Sequence, residues 1–229
     1  LTLSLFMKLL QINVSVNSGS TGRIAEQIGV AAMKEGHKSY IAAAYTDSPS
    51  NSEVIKIGNS FDRNLHGLKT RLFDRHGFGS LLATKALLKK INEIAPDIIH
   101  LHNFHGYYIH IGQLFDYLKN SGTPVVFTIH DCWSFTGHCS FFERLNCYKW
   151  QNICNKCPNK KGYPSSWIID NSKENFKDKK RIFTGVKDLI IVSPSNWLAN
   201  QVKESFLKDY HLKVIHNGID LDRFKIAHN

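Results

Sequence analysis

Met7-Lys8-Leu9-Leu10-Gln11-Ile12-Asn13-Val14-Ser15-Val16, running into Asn17-Ser18-Gly19-Ser20-Thr21-Gly22-Arg23, is the stretch that decides the fold. The first ten residues are rich in Leu, Ile and Val and read as a buried strand. The Gly-bounded turn then opens a helix that Ser20 or Thr21 can cap, with Ile24, Ile28 and Ala32 at i, i+4, i+8 as its apolar face. Downstream the alternation repeats. Strands are expected at 39–45, 54–57, 97–101, 124–129, 189–192 and 212–216. Helices are expected at 61–76, from Leu81 to before Pro96, at 109–118, 171–184 and 195–206. Strands alternating with helices imply α/β architecture, a Rossmann-like doubly wound parallel sheet covered on both faces. Only 131–166 breaks the rhythm; it is aromatic, Cys-rich and punctuated by Gly and Pro.

The 229 residues suit one well-buried domain, and 42% hydrophobic with 21% charged residues is a globular composition, not a disordered one. No apolar run approaches the ~18–20 residues of a membrane span. Residues 1–6 are greasy but lack the basic leader and length of a signal peptide. They read as an upstream extension, with Met7 as the functional start and a cytoplasmic location expected. The formal charge of +10 favours anionic partners: nucleic acid, acidic lipid surfaces or phosphorylated small molecules. A basic surface kept for solubility is the plain alternative.

Sites on open parallel sheets lie at the carboxyl ends of the strands. After the first strand, Gly19, Ser20, Thr21, Gly22 and Arg23 offer a tight turn and a helix start, suited to a phosphate or a sugar hydroxyl. The spacing is neither GxGxxG nor a P-loop, so dinucleotide and ATP readings lose support. After Leu101, His102, Asn103, His105, Tyr107 and Tyr108 combine polar and aromatic groups suited to stacking on a sugar and bonding its hydroxyls. His100, His102, His105 and His110 also invite a metal reading, but no carboxylate lies among them and no i, i+4 pair occurs. At the end of the 124–129 strand, His130 and Asp131 pair an imidazole with a carboxylate beside Trp133, able to bond a sugar hydroxyl or stabilise developing charge. Near the C-terminus an apolar strand enters Asn217-Gly218, a dipeptide that turns the chain sharply.

In order along the chain stand the glycine loop, HLHN (100–103), TIHD (128–131), SPSNWL (193–198) and VIHNGID (214–220). This series resembles the N-terminal half of family 4 glycosyltransferases, enzymes of the two-domain GT-B fold, over residues 7–224. The HDCWSFTGHCSFF wording is similar to bacterial transferases of exopolysaccharide or capsule assembly. The resemblance implies retaining transfer of a sugar from a nucleotide-sugar donor to a carbohydrate or polyprenyl-diphosphate acceptor, with no catalytic metal. It implies that His130, with Asp131, lines the catalytic cleft and that residues 19–23 lie beside the donor phosphates. His102, Asn103, His105, Tyr107, Tyr108 and Trp133 would then wall the acceptor site. Residues 7–216 would form the N-terminal domain and 217–229, with Asn217, Gly218 and Asp220, the start of an inter-domain hinge. The donor-binding second domain would lie beyond the chain. The charge of residues 61–90, interleaved with Phe61, Leu65, Leu68, Leu72 and Phe73, suits either a segment lying on the inner face of an anionic membrane or an ordinary amphipathic helix packed on the sheet.

Four of five cysteines are spaced Cys139-x7-Cys147-x6-Cys154-x2-Cys157. The set fits structural zinc, two disulfides or free thiols; a terminal Cys-x2-Cys favours zinc in a reducing compartment. Cys132 is expected to pack. Two other functions remain open at this stage. One is a basic, zinc-containing nucleic-acid module, although no reader helix or RNA-binding signature is present and no nucleic acid is expected. The other is an acceptor-binding fragment without turnover.

Overall fold

A computed structural model describes residues 6–219, so most of the expected upstream extension and the hinge residue Asp220 lie outside it. Seven strands form one all-parallel sheet: β1 (Lys8–Ser15), β2 (Lys38–Tyr45), β3 (Glu53–Lys56), β4 (Ile98–Leu101), β5 (Val125–Thr128), β6 (Leu189–Ser193) and β7 (His211–Val214). Their order is β3-β2-β1-β4-β5-β6-β7. This is the Rossmann-like sheet expected from the sequence. The direction of strand addition reverses between β1 and β4, and a crevice opens at such a reversal beyond the strands' carboxyl ends.

Side-chain alternation sorts β1 between two layers. Leu10 and Ile12 enter the main core with Ile99, Leu101 and Phe127. The same core takes Leu87 and Ile91 of α3 (Leu81–Ile94), Phe115 of α4 (Ile111–Ser121), Phe183 of α5 (Ser172–Phe183) and Val202 of α6 (Asn196–Glu204). On the opposite face, Gln11 and Asn13 lie in register with Ile41 and Ala43, which pack with Ala25 of α1 (Gly19–Lys34).

Helix α1 departs from expectation in two ways. The chain turns at Asn17 (φ 43°) and Gly19 (φ 64°), so Ser18 is the N-cap residue, not Ser20 or Thr21, and its side chain makes no capping bond. The buried stripe is Gly22, Ala25, Glu26 and Gly29, not Ile24, Ile28 and Ala32. Small residues win because the helix lies close to the sheet: a Cβ on Gly29 would stand 2.5 Å from Ser52 Oγ and 2.7 Å from Ser39 Oγ. The buried Glu26 carboxylate is satisfied by Ser50 Oγ and by the Asn51 backbone and side-chain N–H groups. Helix α2 (Ser60–Phe73) begins with a reciprocal Asn59–Asp62 capping box and stops at Asp74, which adopts φ 49°.

Between β5 and α5 the chain forms three short 3-10 turns, Trp133–Phe135, Glu143–Leu145 and Lys149–Gln151. Phe135 and Phe142 pack their rings 5.1 and 5.0 Å from that of buried Trp150, giving the segment a small core of its own. Buried Lys179 of α5 ties this segment to the domain, donating to the carbonyls of Trp133 (2.8 Å) and Thr136 (3.1 Å). Burial pushes its ammonium down to about 7. Past β7, His216 Nδ1 donates to the Pro194 carbonyl at 2.9 Å, and Asn217 and Gly218 are exposed.

Candidate active site

The crevice at the β1/β4 reversal is organised by a chain of neutral side chains. Gln11, with no exposed surface, donates Nε2–H to the Ala25 carbonyl at 2.7 Å. A carbonyl can only accept, so the amide orientation is fixed and Gln11 Oε1 must be the acceptor towards His102 Nε2, 3.1 Å away. His102 therefore carries its proton on Nε2 and offers Nδ1 as an acceptor. The atom facing Nδ1 at 3.2 Å is His130 Nε2, which must donate. The tautomer of His130 is thus set three residues away in the network, and its Nδ1 keeps a lone pair with no protein partner among the described residues. Burial holds His102 well below the ordinary imidazole range and His130 down to about 4, so both rings are neutral at pH 7. His130 is half-buried and His102 buried. His100, beside them on β4, bonds Thr128 Oγ1 at 2.8 Å and is pushed down to about 4 by burial.

Asp131 does two jobs. Oδ1 accepts the Trp133 backbone N–H at 2.8 Å and starts the first 3-10 turn, while Oδ2 pairs with His105 Nε2. His105 Nδ1 in turn meets Tyr163 OH at 3.1 Å. This triad lines a cavity of about 610 Å³ whose far wall includes Phe141, Glu143, Arg144 and Asn159. A second cavity, about 380 Å³, lies across Tyr107 and is lined by Tyr45, Arg63, Arg71 and Trp167. There Arg63 stacks over Tyr45 at 4.6 Å, and Arg71 over Tyr107 at 5.6 Å. A third, about 350 Å³, joins Ile24 and Ile28 of α1 to His100, Thr128, Asn217 and Gly218; the last two, expected to turn the chain sharply, follow β7 without a turn. A further depression, about 690 Å³, lies at the starts of β1, β2 and β3 among Lys8, Lys38, Glu53 and Lys90. It sits at the wrong end of the strands for a site of this fold, and the imidazoles are not near it.

The sequence model of Glycosyltransferase Family 4 matches residues 21–223. The chain belongs to glycosyltransferase family 4. It is 28% identical over 230 residues to a putative colanic acid biosynthesis glycosyl transferase, WcaC, of Escherichia coli K12, covering 94% of this chain and 55% of WcaC. The chain thus spans about half the length of the curated relative it matches. Two solved structures share the fold. A glycosyltransferase from Rickettsia africae has a TM-score of 0.50 and 14% identity, over 95% of this chain and 45% of that one. Medicago truncatula UGT71G1, complexed with UDP-glucose, has a TM-score of 0.53 and 9% identity, over 96% and 53%.

Within this family 4 chain the structure brings together most of the residues singled out from sequence. His102, Asn103, His105, His130 and Asp131 gather at the ends of β4 and β5, and Tyr107 borders the second cavity. Tyr108 and Trp133 stand apart from the cavities. Each is 1% exposed; Tyr108 OH donates to the Asn103 carbonyl, and Trp133 packs on Phe183 beneath Lys179. They support the wall from behind. Gly19, Ser20 and Arg23 are exposed at the start of α1, with Thr21 half-exposed. Gly22 serves the helix–strand contact, because a Cβ there would meet Ser15 Oγ at 2.8 Å.

Four participants carried no readable sequence signal: Gln11, hidden in an apolar strand; Tyr163, in the irregular segment; and His76 and Arg71 at the end of α2. Buried His76 accepts the Gly106 N–H at 3.3 Å and packs 4.8 Å from the Tyr107 ring.

The five cysteines are free thiols, so the disulfide alternative finds no support. Among the described residues no three His, Cys, Asp or Glu side chains are already drawn to a common metal-binding point. Cys132 is fully buried, as expected for a packing residue, and burial pushes its thiol up.

Proposed function

We propose that this chain is the acceptor-side half of a family 4 glycosyltransferase of cell-surface polysaccharide synthesis, moving a sugar with retention from a nucleotide-sugar donor to a carbohydrate or lipid-linked acceptor. The observation that carries the reading is His130: a neutral imidazole at the strand-order reversal, its proton committed to His102 and its Nδ1 lone pair left to receive a substrate hydroxyl proton. Residues 19–23, at the start of α1 beyond the carboxyl end of β1, suit the donor's phosphates. The His105–Asp131–Tyr163 cavity, with polar and aromatic walls, suits a glycan. The putative role of WcaC in colanic acid biosynthesis and the UDP-glucose held by the Medicago enzyme support this reading.

In the proposed reaction the protein positions and stabilises. A sugar hydroxyl donating to His130 Nδ1 fixes the ring against the cleft, and Asp131 and His105 orient the acceptor. The donor half, joined through 217–229, supplies the opposite wall. Transition-state stabilisation needs both walls, so the 229-residue chain alone is expected to bind acceptor without turnover.

The test joins the chain to its natural continuation and measures nucleotide release from sugar donors. Intact enzyme turns over, and His130→Ala lowers kcat by roughly 10²–10³-fold, the scale of one lost preorganised polar group. Full activity in His130→Ala, or turnover by the 229-residue chain alone, would remove the basis for the assignment.

A further inference from the structure

The four spaced cysteines converge. Cys139, Cys147, Cys154 and Cys157 all line one small cavity of about 10 Å³ in the segment between β5 and α5, together with His138 and Trp150. That is room for about one atom-sized guest. A backbone N–H group is already aimed at one of the sulfurs: Gly137 donates to Cys154 Sγ at 3.1 Å. Lys156, inside the Cys154–Cys157 turn, adopts φ 48°, and Lys149 Nζ closes that turn by donating to the Asn155 and Lys156 carbonyls at 3.0 and 3.1 Å.

A second observation points the same way. His138 is 2% exposed, and its Nδ1 is held by the Asp74 carboxylate at 2.6 Å. Asp74 is itself fixed by the Asn171 N–H at 2.9 Å. The other ring nitrogen, Nε2, is buried without a hydrogen-bond partner among the described residues. Whichever proton state it holds, that nitrogen needs a neighbour: a cation for its lone pair, or a thiolate for its N–H. A carboxylate gripping the far side of such a ring is the usual support of a metal centre.

We propose that Cys139, Cys147, Cys154 and Cys157 bind one structural zinc ion, with the Asp74–His138 pair buttressing it. Each thiol releases its proton to solvent as the sulfur–zinc bond forms, and no redox step is involved. The sulfurs face a shared space without yet meeting at a point, so binding draws them inward by side-chain rotation. Lys149 and Lys156 lie beside the roughly −2 charge of zinc with four thiolates.

The site has a structural consequence. Phe141, Glu143, Arg144 and Leu145 lie in the Cys139–Cys147 loop, and Asn159, Gly162 and Tyr163 follow Cys157 directly; all line the 610 Å³ cavity. The ion would fasten both ends of that wall. Its link to the acceptor rests on the proposed function; the zinc does not.

The test is metal analysis of the untagged chain purified under reducing conditions from zinc-containing medium. About one zinc per chain is expected, with five titratable thiols after denaturation with a chelator. Stripping the metal should leave the parallel-sheet circular dichroism intact while speeding proteolysis within 141–163. Cys154→Ser and Cys157→Ser should lose zinc, and His138→Gln should retain it with roughly 10–100-fold weaker affinity. Substoichiometric zinc in the native chain, or a thiol count below five, would overturn the proposal without touching the glycosyl-transfer reading. If instead His130→Ala retained full activity while zinc was found, only the latter would fall.

Discussion

Replacing Gln11 by Met tests whether the amide truly dictates the state of His130. Methionine has similar length and fills the space, so packing changes little. What disappears is a donor to the Ala25 carbonyl and an acceptor for His102, in a site where Gln11 has no exposed surface and His102 only 2%. The Ala25 carbonyl keeps its place in the α1 ladder, so most of the cost falls on the unpaired His102 N–H. Leaving a buried polar group unpaired costs about 1–3 kcal/mol, giving about 2–4 kcal/mol for both losses. In a domain of this size that lowers Tm by roughly 4–16 °C. His102 can escape by moving its proton to Nδ1, but His130 Nε2 must then accept, and its own proton moves to Nδ1. The cleft would present a donor where a lone pair stood. Side-chain nitrogen NMR at pH 7 reads this directly: His130 should carry its proton on Nε2 in the wild type and shift towards Nδ1 in Gln11→Met. A wild-type His130 protonated on Nδ1, or a stability loss under about 1 kcal/mol, would refute the reasoning.

Acid should destabilise this fold earlier than carboxylate titration alone predicts. Burial holds His66, His100 and His130 at about 4, below the ordinary 6.5, so the unfolded chain binds protons that the folded chain refuses between those values. The contribution of these three rings is therefore complete above pH 6.5 and lost as pH falls towards 4, by up to about 3 kcal/mol per histidine. His138, raised by its bond to Asp74 against the effect of burial, works in the opposite sense, while His76, His102 and His110, lowered by burial, work in the same sense as those three. Urea melts at pH 7.5, 6 and 4.5 would show the slope, and a flat profile would contradict it. A separate prediction concerns α2, where Phe61, Leu65 and Leu68 are 73%, 55% and 48% exposed beside Arg63 and Lys69, with exposed Trp167 and Ile168 nearby. No helix among the described residues is long and apolar enough to cross a membrane, so any attachment through this face is superficial. The chain should sediment with vesicles containing anionic lipid, at about 1 kcal/mol per engaged cation, and be released by salt. Equal sedimentation with neutral and anionic vesicles would sink the idea.

The fold was legible because each strand of a doubly covered parallel sheet is apolar on both sides and is punctuated by Gly, Pro or Asn at its ends. That pattern needs only local sequence. It misled at α1, where the conspicuous Ile24 and Ile28 line an open cavity while Gly22, Ala25 and Gly29 take the sheet contact. Hydrophobicity reads how strongly a side chain prefers burial; it cannot read how closely two backbones approach. Where the interlayer space is narrow, the smallest residues are the buried ones.

The site was half legible for a related reason. Residues such as His102, His130 and Asp131 announce themselves because polar groups at strand ends are unusual in an apolar run. Their roles, however, are set by partners across the sheet: His102 lies 91 residues from Gln11 and 28 from His130, and His105 meets Tyr163 after 58. A single amide in the middle of β1 reads as an imperfection in the strand until the sheet places it beside an imidazole. There the imperfection becomes the fixed end of a hydrogen-bond chain, and its direction can be deduced, since the Ala25 carbonyl admits only a donor. Gln11 thereby determines whether His130 offers the cleft a lone pair or a proton, although it touches no cavity itself.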